Sequence, residues 1–277
     1  MTDASEKYLL ADGTTEPERL QLQALAWEAE TEAMLDRIGL KAGGTCLDVG
    51  CGAMGILRPL SHRIGPTGSV IGIDLDSRQL AVARMFIQKT ELRNVELLQQ
   101  DVYNTLFPRA SFDLVHARFV FAPSGQDEKL LQEMIALTKP GGVVAMQEPD
   151  FTCYTCFPPH WAWERLKDAV IAAFKQSGGD LHVGQRTYGM LRRAGLEGVQ
   201  IRATVLALHD GHPYMRNLIH TAISLYQRIL DARLRTKAEL DEALHVCEEV
   251  IQNPETFVQT FILTQTWGYK PASSIED

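Results

Sequence analysis

The stretch Asp48-Val49-Gly50-Cys51-Gly52-Ala53-Met54-Gly55 constrains the fold more than any other feature of the chain. It follows the short apolar run 46–49 and opens a helical pattern that continues to Ile64. Gly50 and Gly52 permit a tight turn and let a ligand approach the backbone where a Cβ would block it. The rhythm then repeats. Residues 70–74, 95–99, 112–116 and 143–146 read as further strands, with helices over 76–90, capped by Asp76 or Ser77, and over 128–138. Short apolar strands alternating with helices imply a parallel sheet covered on both faces. The glycine run alone also fits a merely tight turn, and its G-x-G-x-x-G spacing admits a dinucleotide fold.

On either side of this core the pattern is mostly helical. Residues 17–38 keep an apolar period of three to four, with Pro17 suited to a first turn and Gly39 to the stop. Residues 1–15 read as an irregular start. Past Asp150, helices are expected over 161–176, 187–194, 213–234 and 237–252, and strands over 199–208 and 257–267. The expected organisation is a helical N-terminal cap (1–39), a ligand-binding core (40–150), and a remainder (151–277) that completes the sheet and inserts a helical lid at about 213–252.

Two acids sharpen the glycine turn. Asp74 closes the second strand, where open α/β sheets bind ligands, and one carboxylate there can accept both hydroxyls of a ribose. Asp101 closes the third strand and can accept an adenine amino hydrogen. Either acid taken singly also reads as a helix cap. A nicotinamide-dependent oxidoreductase explains the glycines and Asp74, but not Asp48 before the first glycine or the acid at the third strand's end.

Taken in order, Leu47-Asp48-Val49-Gly50-Cys51-Gly52, Gly72-Ile73-Asp74, Gln100-Asp101-Val102 and Leu137-Thr138-Lys139-Pro140-Gly141-Gly142 resemble the successive motifs of class I S-adenosylmethionine-dependent methyltransferases. The resemblance covers residues 40–150, and the closing 257–271 stretch resembles that family's antiparallel last strand. It implies a doubly wound, mostly parallel seven-stranded α/β sheet with N-terminal and inserted lid helices. S-adenosyl-L-methionine is the implied cofactor. Carried over, Asp48, Gly50, Cys51 and Gly52 belong to the cofactor loop, the glycines and Cys51 lining the methionine portion. Asp74 would take the ribose, Leu75, Asp101 and Val102 the adenine, and Ala117 would face the sulfonium.

Other features narrow the class. His116-Ala117-Arg118-Phe119 stands where amino-methylating enzymes of DNA and protein amides carry an Asn/Asp-Pro-Pro-aromatic loop, so that subclass is not indicated. No Asp-Asn pair follows the fourth strand, so no metal is expected. Cys153, Cys156 and His160 make only half a zinc site. A net charge of −8 argues against broad phosphate binding. The N-terminus is polar, no run approaches the ~20 apolar residues of a membrane span, and five cysteines are sparse and odd in number. A cytoplasmic protein acting on a small molecule, without nucleic acid or membrane, is therefore expected, in the manner of natural-product methyltransferases; a homodimer is compatible with the sequence. Glu148 and Asp150, just past the fifth strand, and His116 are the candidate catalytic residues. The aromatic stretch Phe151, Tyr154, Phe157, Trp161, Trp163 suits either a substrate lid or helix packing. Arg19, Arg118 and Arg186 are candidate carboxylate binders. A protein that keeps the fold for binding or for a non-methylating reaction is the alternative, separated by whether label leaves the cofactor's methyl group for a product.

Overall fold

The computed structural model describes residues 16–272, so the start expected over 1–15 lies outside it. In chain order the core holds β1 (Thr45–Val49), α3 (Leu57–Ile64), β2 (Ser69–Asp74), α4 (Ser77–Lys89), β3 (Val95–Gln99), β4 (Phe112–Arg118), α5 (Phe121–Ser124), α6 (Asp127–Leu137) and β5 (Thr138–Asp150), preceded by α1 (Glu16–Ala26) and α2 (Glu28–Ile38). After it come β6 (Thr155–Phe157), α7 (Trp161–Gln176), α8 (Gly184–Arg193), β7 (Glu197–Thr204), β8 (Ala207–Leu208), α9 (Asn217–Ser224), α10 (Tyr226–Asp231), α11 (Lys237–Gln252), β9 (Phe257–Gln259) and β10 (Ile262–Tyr269).

Seven strands form one sheet in the order β3-β2-β1-β4-β5-β10-β7. β1 pairs in parallel with both β2 and β4, whereas β10 runs antiparallel to β5 and β7. This is the doubly wound architecture expected, with the antiparallel strand last in sequence and second from the edge. Strand order reverses between β1 and β4, which opens a crevice at the carboxyl ends of the strands. The sheet buries Leu47, Val49, Val115, Val144 and Met146 on one face. It buries Cys46, Leu114, Ala145 and Trp267 on the other, with Met34 and Leu35 of α2 and Leu57 and Leu60 of α3. Asp76 caps α4 as expected, accepting the Arg78 N–H at 2.8 Å.

Five expected elements differ, each for a visible reason. The strand expected over 199–208 divides into β7 and β8, of different sheets, at Leu206, which exchanges hydrogen bonds with Thr260. The helix over 17–38 is two helices meeting at Trp27, whose φ of −100° and ψ of 8° break the period. Its buried indole N–H donates to the Tyr214 hydroxyl at 3.0 Å and its ring lies 5.4 Å from Phe261. That anchor turns α1 onto α9 while α2 stays against α3. β5 runs well beyond 143–146, because polar Gln147, Glu148 and Asp150 are buried in a strand paired with β10 up to Asp150–Ile262. The strand expected over 257–267 breaks at Thr260 and Phe261; its first part joins a small second sheet, β6-β9-β8. The helix expected over 213–234 divides into a 3-10 turn (Pro213–Arg216), α9 and α10, with buried Leu225 at the second junction.

Between β7 and β10 stand three helices, α9, α10 and α11. All three pack on α7, and Asn217 and Thr221 of α9 reach the crevice.

Candidate active site

The glycine turn is tied to its surroundings at three points. Cys51 N–H donates to the Ile73 carbonyl at 3.0 Å, Gly52 N–H to Asp74 Oδ2 at 2.8 Å, and Ile56 N–H to Asp48 Oδ2 at 3.0 Å. Gly50 and Gly55 have φ of +63° and +50°. A Cβ on Gly50 would stand 2.6 Å from Val120 Cγ2, and one on Gly55 would overlap Asp48 Oδ2. The turn is therefore closed to side chains at both positions. Burial, then the charges of Asp48 and Asp74, pushes the Cys51 thiol well above its ordinary range, so it packs as an uncharged group.

Asp48 also ends a polar file that crosses five strands on one face of the sheet. Arg202 Nη1 donates to Gln265 Oε1 at 2.7 Å, and Gln265 Nε2 to Gln147 Oε1 at 2.8 Å. Gln147 Nε2 then meets His116 Nε2 at 3.0 Å, and His116 Nδ1 meets Asp48 Oδ1 at 2.8 Å. An amide nitrogen only donates, so His116 Nε2 accepts and the ring proton sits on Nδ1, directed at Asp48. Every donor points the same way, from a cation to a carboxylate. His116 is wholly buried. Burial lowers its pKa, against the pull of Asp48, and keeps the ring neutral.

A cavity of about 320 Å³ lies over the strand ends. At one end it is lined by Asp74, Leu75, Gln79, Gln100, Asp101, Val102 and Tyr103; the glycine turn lines its middle. At the other end stand Arg118, Phe119, Phe151, Phe174, Leu181 and Phe261, roofed by Arg19 and Gln23 of α1 and Asn217 and Thr221 of α9. From the end of β2 to that of β5 is three strand spacings, roughly 14 Å. Burial raises the Asp74 pKa, while amide N–H groups of Asp76 and Gly52 draw it back. Each Asp74 oxygen thus holds one backbone donor, and a carboxylate oxygen has room for a second. Asp101 accepts Tyr103 N–H at 3.0 Å and Asn104 Nδ2 at 3.1 Å. The side-chain oxygens of Gln79 and Gln100 are buried without a protein partner among the described residues. Such acceptors are costly unless a ligand supplies donors.

Residues 40–195, over half of the chain, match a family model described as a methyltransferase domain. The chain belongs to that family. A demethylmenaquinone methyltransferase of Geobacillus sp. (strain WCH70) is 32% identical over 124 residues, which cover 45% of this chain and 52% of that protein. The chain thus spans about half the length of the curated relatives it matches. Among solved structures, the YcgJ protein from Bacillus subtilis is similar with a TM-score of 0.57 at 16% identity, over 88% of this chain and 99% of that one. A phosphoethanolamine N-methyltransferase 2 of Haemonchus contortus, solved with phosphomonomethylethanolamine and S-adenosylhomocysteine, gives 0.55 at 19% identity over 88% and 52%. The doubly wound fold and the family agree with the expectation from the motifs.

In this member of the family the cavity brings together Gly50, Cys51, Gly52, Asp74, Leu75, Asp101 and Val102 of the expected cofactor residues. Asp48 and Ala117 are buried behind the lining, Asp48 as the clamp of the turn. The three candidate catalytic residues are not in the lining. His116 is locked in the polar file. Glu148 is wholly buried, its carboxylate accepting N–H groups of Val120, Phe121 and Ala122 at 3.0 to 3.2 Å. Burial pushes it up to about 8 against those three donors. Asp150 accepts from Thr152, Gln185 and His182 Nδ1, the last at 2.9 Å; burial raises its pKa, and these hydrogen bonds leave it below the ordinary value. Trp163 and Tyr154 are core, while Phe151 lines the cavity. Cys156 is buried, with its Sγ beside the Pro158 carbonyl, and no group of three metal-ligating side chains occurs among the described residues. Arg186 pairs with Asp127 and Asp180 away from the cavity. Sequence reasoning missed Gln79, Gln100, Asn217 and Phe261. Gln100 alone carried a signal, its place at a strand end.

Proposed function

We propose that this chain transfers the methyl group of S-adenosylmethionine to an O, N or C atom of a small, flat, largely apolar molecule. The observation that carries this reading is the shape of the cavity. It runs from two acids and two unpartnered amide oxygens, past the glycine turn, into a chamber walled by four phenylalanines. Asp74 would hold the ribose hydroxyls, Asp101 and Gln100 the adenine edge, and the 50–52 backbone the methionine portion. When bound, the cofactor supplies an electrophilic methyl carbon on a sulfonium. The protein's part is to align the acceptor with that carbon and keep water away, which the α1 and α9 roof and the aromatic walls are placed to do.

The aromatic chamber suits demethylmenaquinone, the acceptor in the Geobacillus relative's name, as a class of molecule. That name speaks for core metabolism rather than the natural-product setting expected from the sequence. A cytoplasmic location is part of this proposal; among the described residues no helix is long and apolar enough to cross a membrane. The test is a metabolite library incubated with methyl-labelled S-adenosylmethionine. Label entering an aromatic product supports the proposal. Binding of the cofactor with no transfer to any compound would favour a non-methylating use of the fold, and binding of NAD in its place would overturn both.

A further inference from the structure

The acceptor end of the cavity has an unusual complement of charge. Asp74, Asp101, Cys51 and Tyr103 line the opposite end or the turn, and the charged side chains at the acceptor end are Arg19 and Arg118. Among the described residues no carboxylate, imidazole or lysine lines that end. The three groups placed to serve as a base are engaged behind the wall. Arg118 is part-buried. Its Nη2 donates to the Gly55 carbonyl at 2.7 Å and its Nη1 to Thr31 Oγ1 at 3.3 Å. Neither partner carries charge; the carboxylates of Asp48 and Glu28 steady the guanidinium only through space, against its burial. A cation desolvated by a cavity wall with no carboxylate in contact gains from a ligand that brings one. Asn217, only 4% exposed, lines the same end, with its Oδ1 buried and unpartnered.

We propose that the acceptor binds as an anion, the conjugate base of a flat acidic molecule such as a hydroxyquinone or enol, held by Arg118. This deepens the function proposed above and rests on it. The acidic proton goes to solvent before binding. In the transfer the acceptor's electron pair forms the bond to the methyl carbon as the carbon–sulfur bond breaks, and the sulfur keeps that bond's pair. No protein base is then needed. Arg118 sets specificity by favouring the ionised acceptor, and Asn217 would accept from a hydroxyl or N–H on the same molecule.

The test uses paired probes in which one methyl group replaces the acidic proton: 2-hydroxy-1,4-naphthoquinone and its 2-methoxy ether, and 4-hydroxycoumarin and its 4-methoxy ether. Their binding to the full chain saturated with S-adenosylhomocysteine is measured by calorimetry at neutral pH. At least one acid should bind tenfold or more tighter than its ether, as expected for charge-assisted hydrogen bonds of about 1.5–3 kcal/mol. Arg118→Gln should reduce that preference to about twofold, with Arg118→Lys restoring part of it, and Asn217→Asp should weaken the acids selectively. Circular dichroism and S-adenosylhomocysteine affinity report whether each variant is folded. No acid preference in either pair, or no binding of any probe, overturns the proposal. A fall in S-adenosylhomocysteine affinity in Arg118→Gln with the acid preference intact also overturns it, assigning the guanidinium to the cofactor. Failure of the unmodified chain to bind S-adenosylhomocysteine at all would instead remove the methyl-transfer reading beneath it.

Discussion

Alanine at Gly55 separates two costs that a single glycine substitution usually merges. Any residue with a Cβ pays about 1–2 kcal/mol to hold a left-handed backbone, partly offset by about 0.4–1 kcal/mol from a stiffer unfolded chain. Gly39, which ends α2 with φ 69° and ψ 45°, has nothing within 4 Å of an added Cβ, so Gly39→Ala isolates that net cost. At Gly55 the added carbon would overlap Asp48 Oδ2 and lie 2.8 Å from the Cys51 carbonyl oxygen. Neither can yield freely. The carboxylate is held by Ile56 N–H and His116, and the carbonyl belongs to the turn itself. Overpacking of this kind adds about 1–3 kcal/mol. Urea unfolding should therefore show Gly39→Ala down by less than about 2 kcal/mol and Gly55→Ala down by about 1–3 kcal/mol more, roughly 1–5 kcal/mol in all. Gly55→Ala should also bind S-adenosylhomocysteine more weakly, since the turn must shift. Equal losses in the two variants would refute the claim that the Asp48 clamp is rigid.

Asp74→Asn leaves one oxygen where two accept, so S-adenosylhomocysteine affinity should fall about 10- to 100-fold by titration calorimetry; an unchanged constant in a folded variant would remove the ribose assignment. Glu148 makes stability fall as pH rises from its ordinary 4.5 to about 8, because over that window the folded chain keeps a proton that the unfolded chain has lost. Unfolding midpoints between pH 5 and 9 should show this slope in the unmodified chain and a flatter one in Glu148→Gln; parallel profiles would contradict it. Hydrogen exchange should slow in α1 and α9 when cofactor and acceptor are bound, while α11, seated on α7, hardly changes. Equal protection of α1 and α9 with and without ligands would make them fixed scaffold.

Much of this was legible because the core obeys local rules. The strand expected over 95–99 is found at Val95–Gln99, and Asp74 and Asp101 stand at strand ends beside the cavity. A strand end fixes where a carboxylate sits but not which way it turns. Glu148 turns to the amides of α5 and Asp150 to His182, choices made by segments distant in sequence. Polar Gln147 concealed the reach of β5, because only pairing across the sheet, with Gln265, satisfies it in a buried strand. Phe261 lay within an apparent strand, and nothing local reveals that the chain breaks there to put a ring into the cavity.

The one-way file from Arg202 to Asp48 has a consequence for assembly. Strands rich in Val, Leu and Ala can pair in several offsets with similar burial, and a slip of one residue sends every side chain to the opposite face. In β10 or β5 such a slip would push Gln265 or Gln147 into the apolar layer of Val144 and Met146, stranding buried amides at about 1–3 kcal/mol each. A slip of two residues keeps the face but sets donors against the wrong neighbours. The file works as a key cut across five strands, which turns in only one alignment and so selects the offset that brings the strand ends level beneath the cavity.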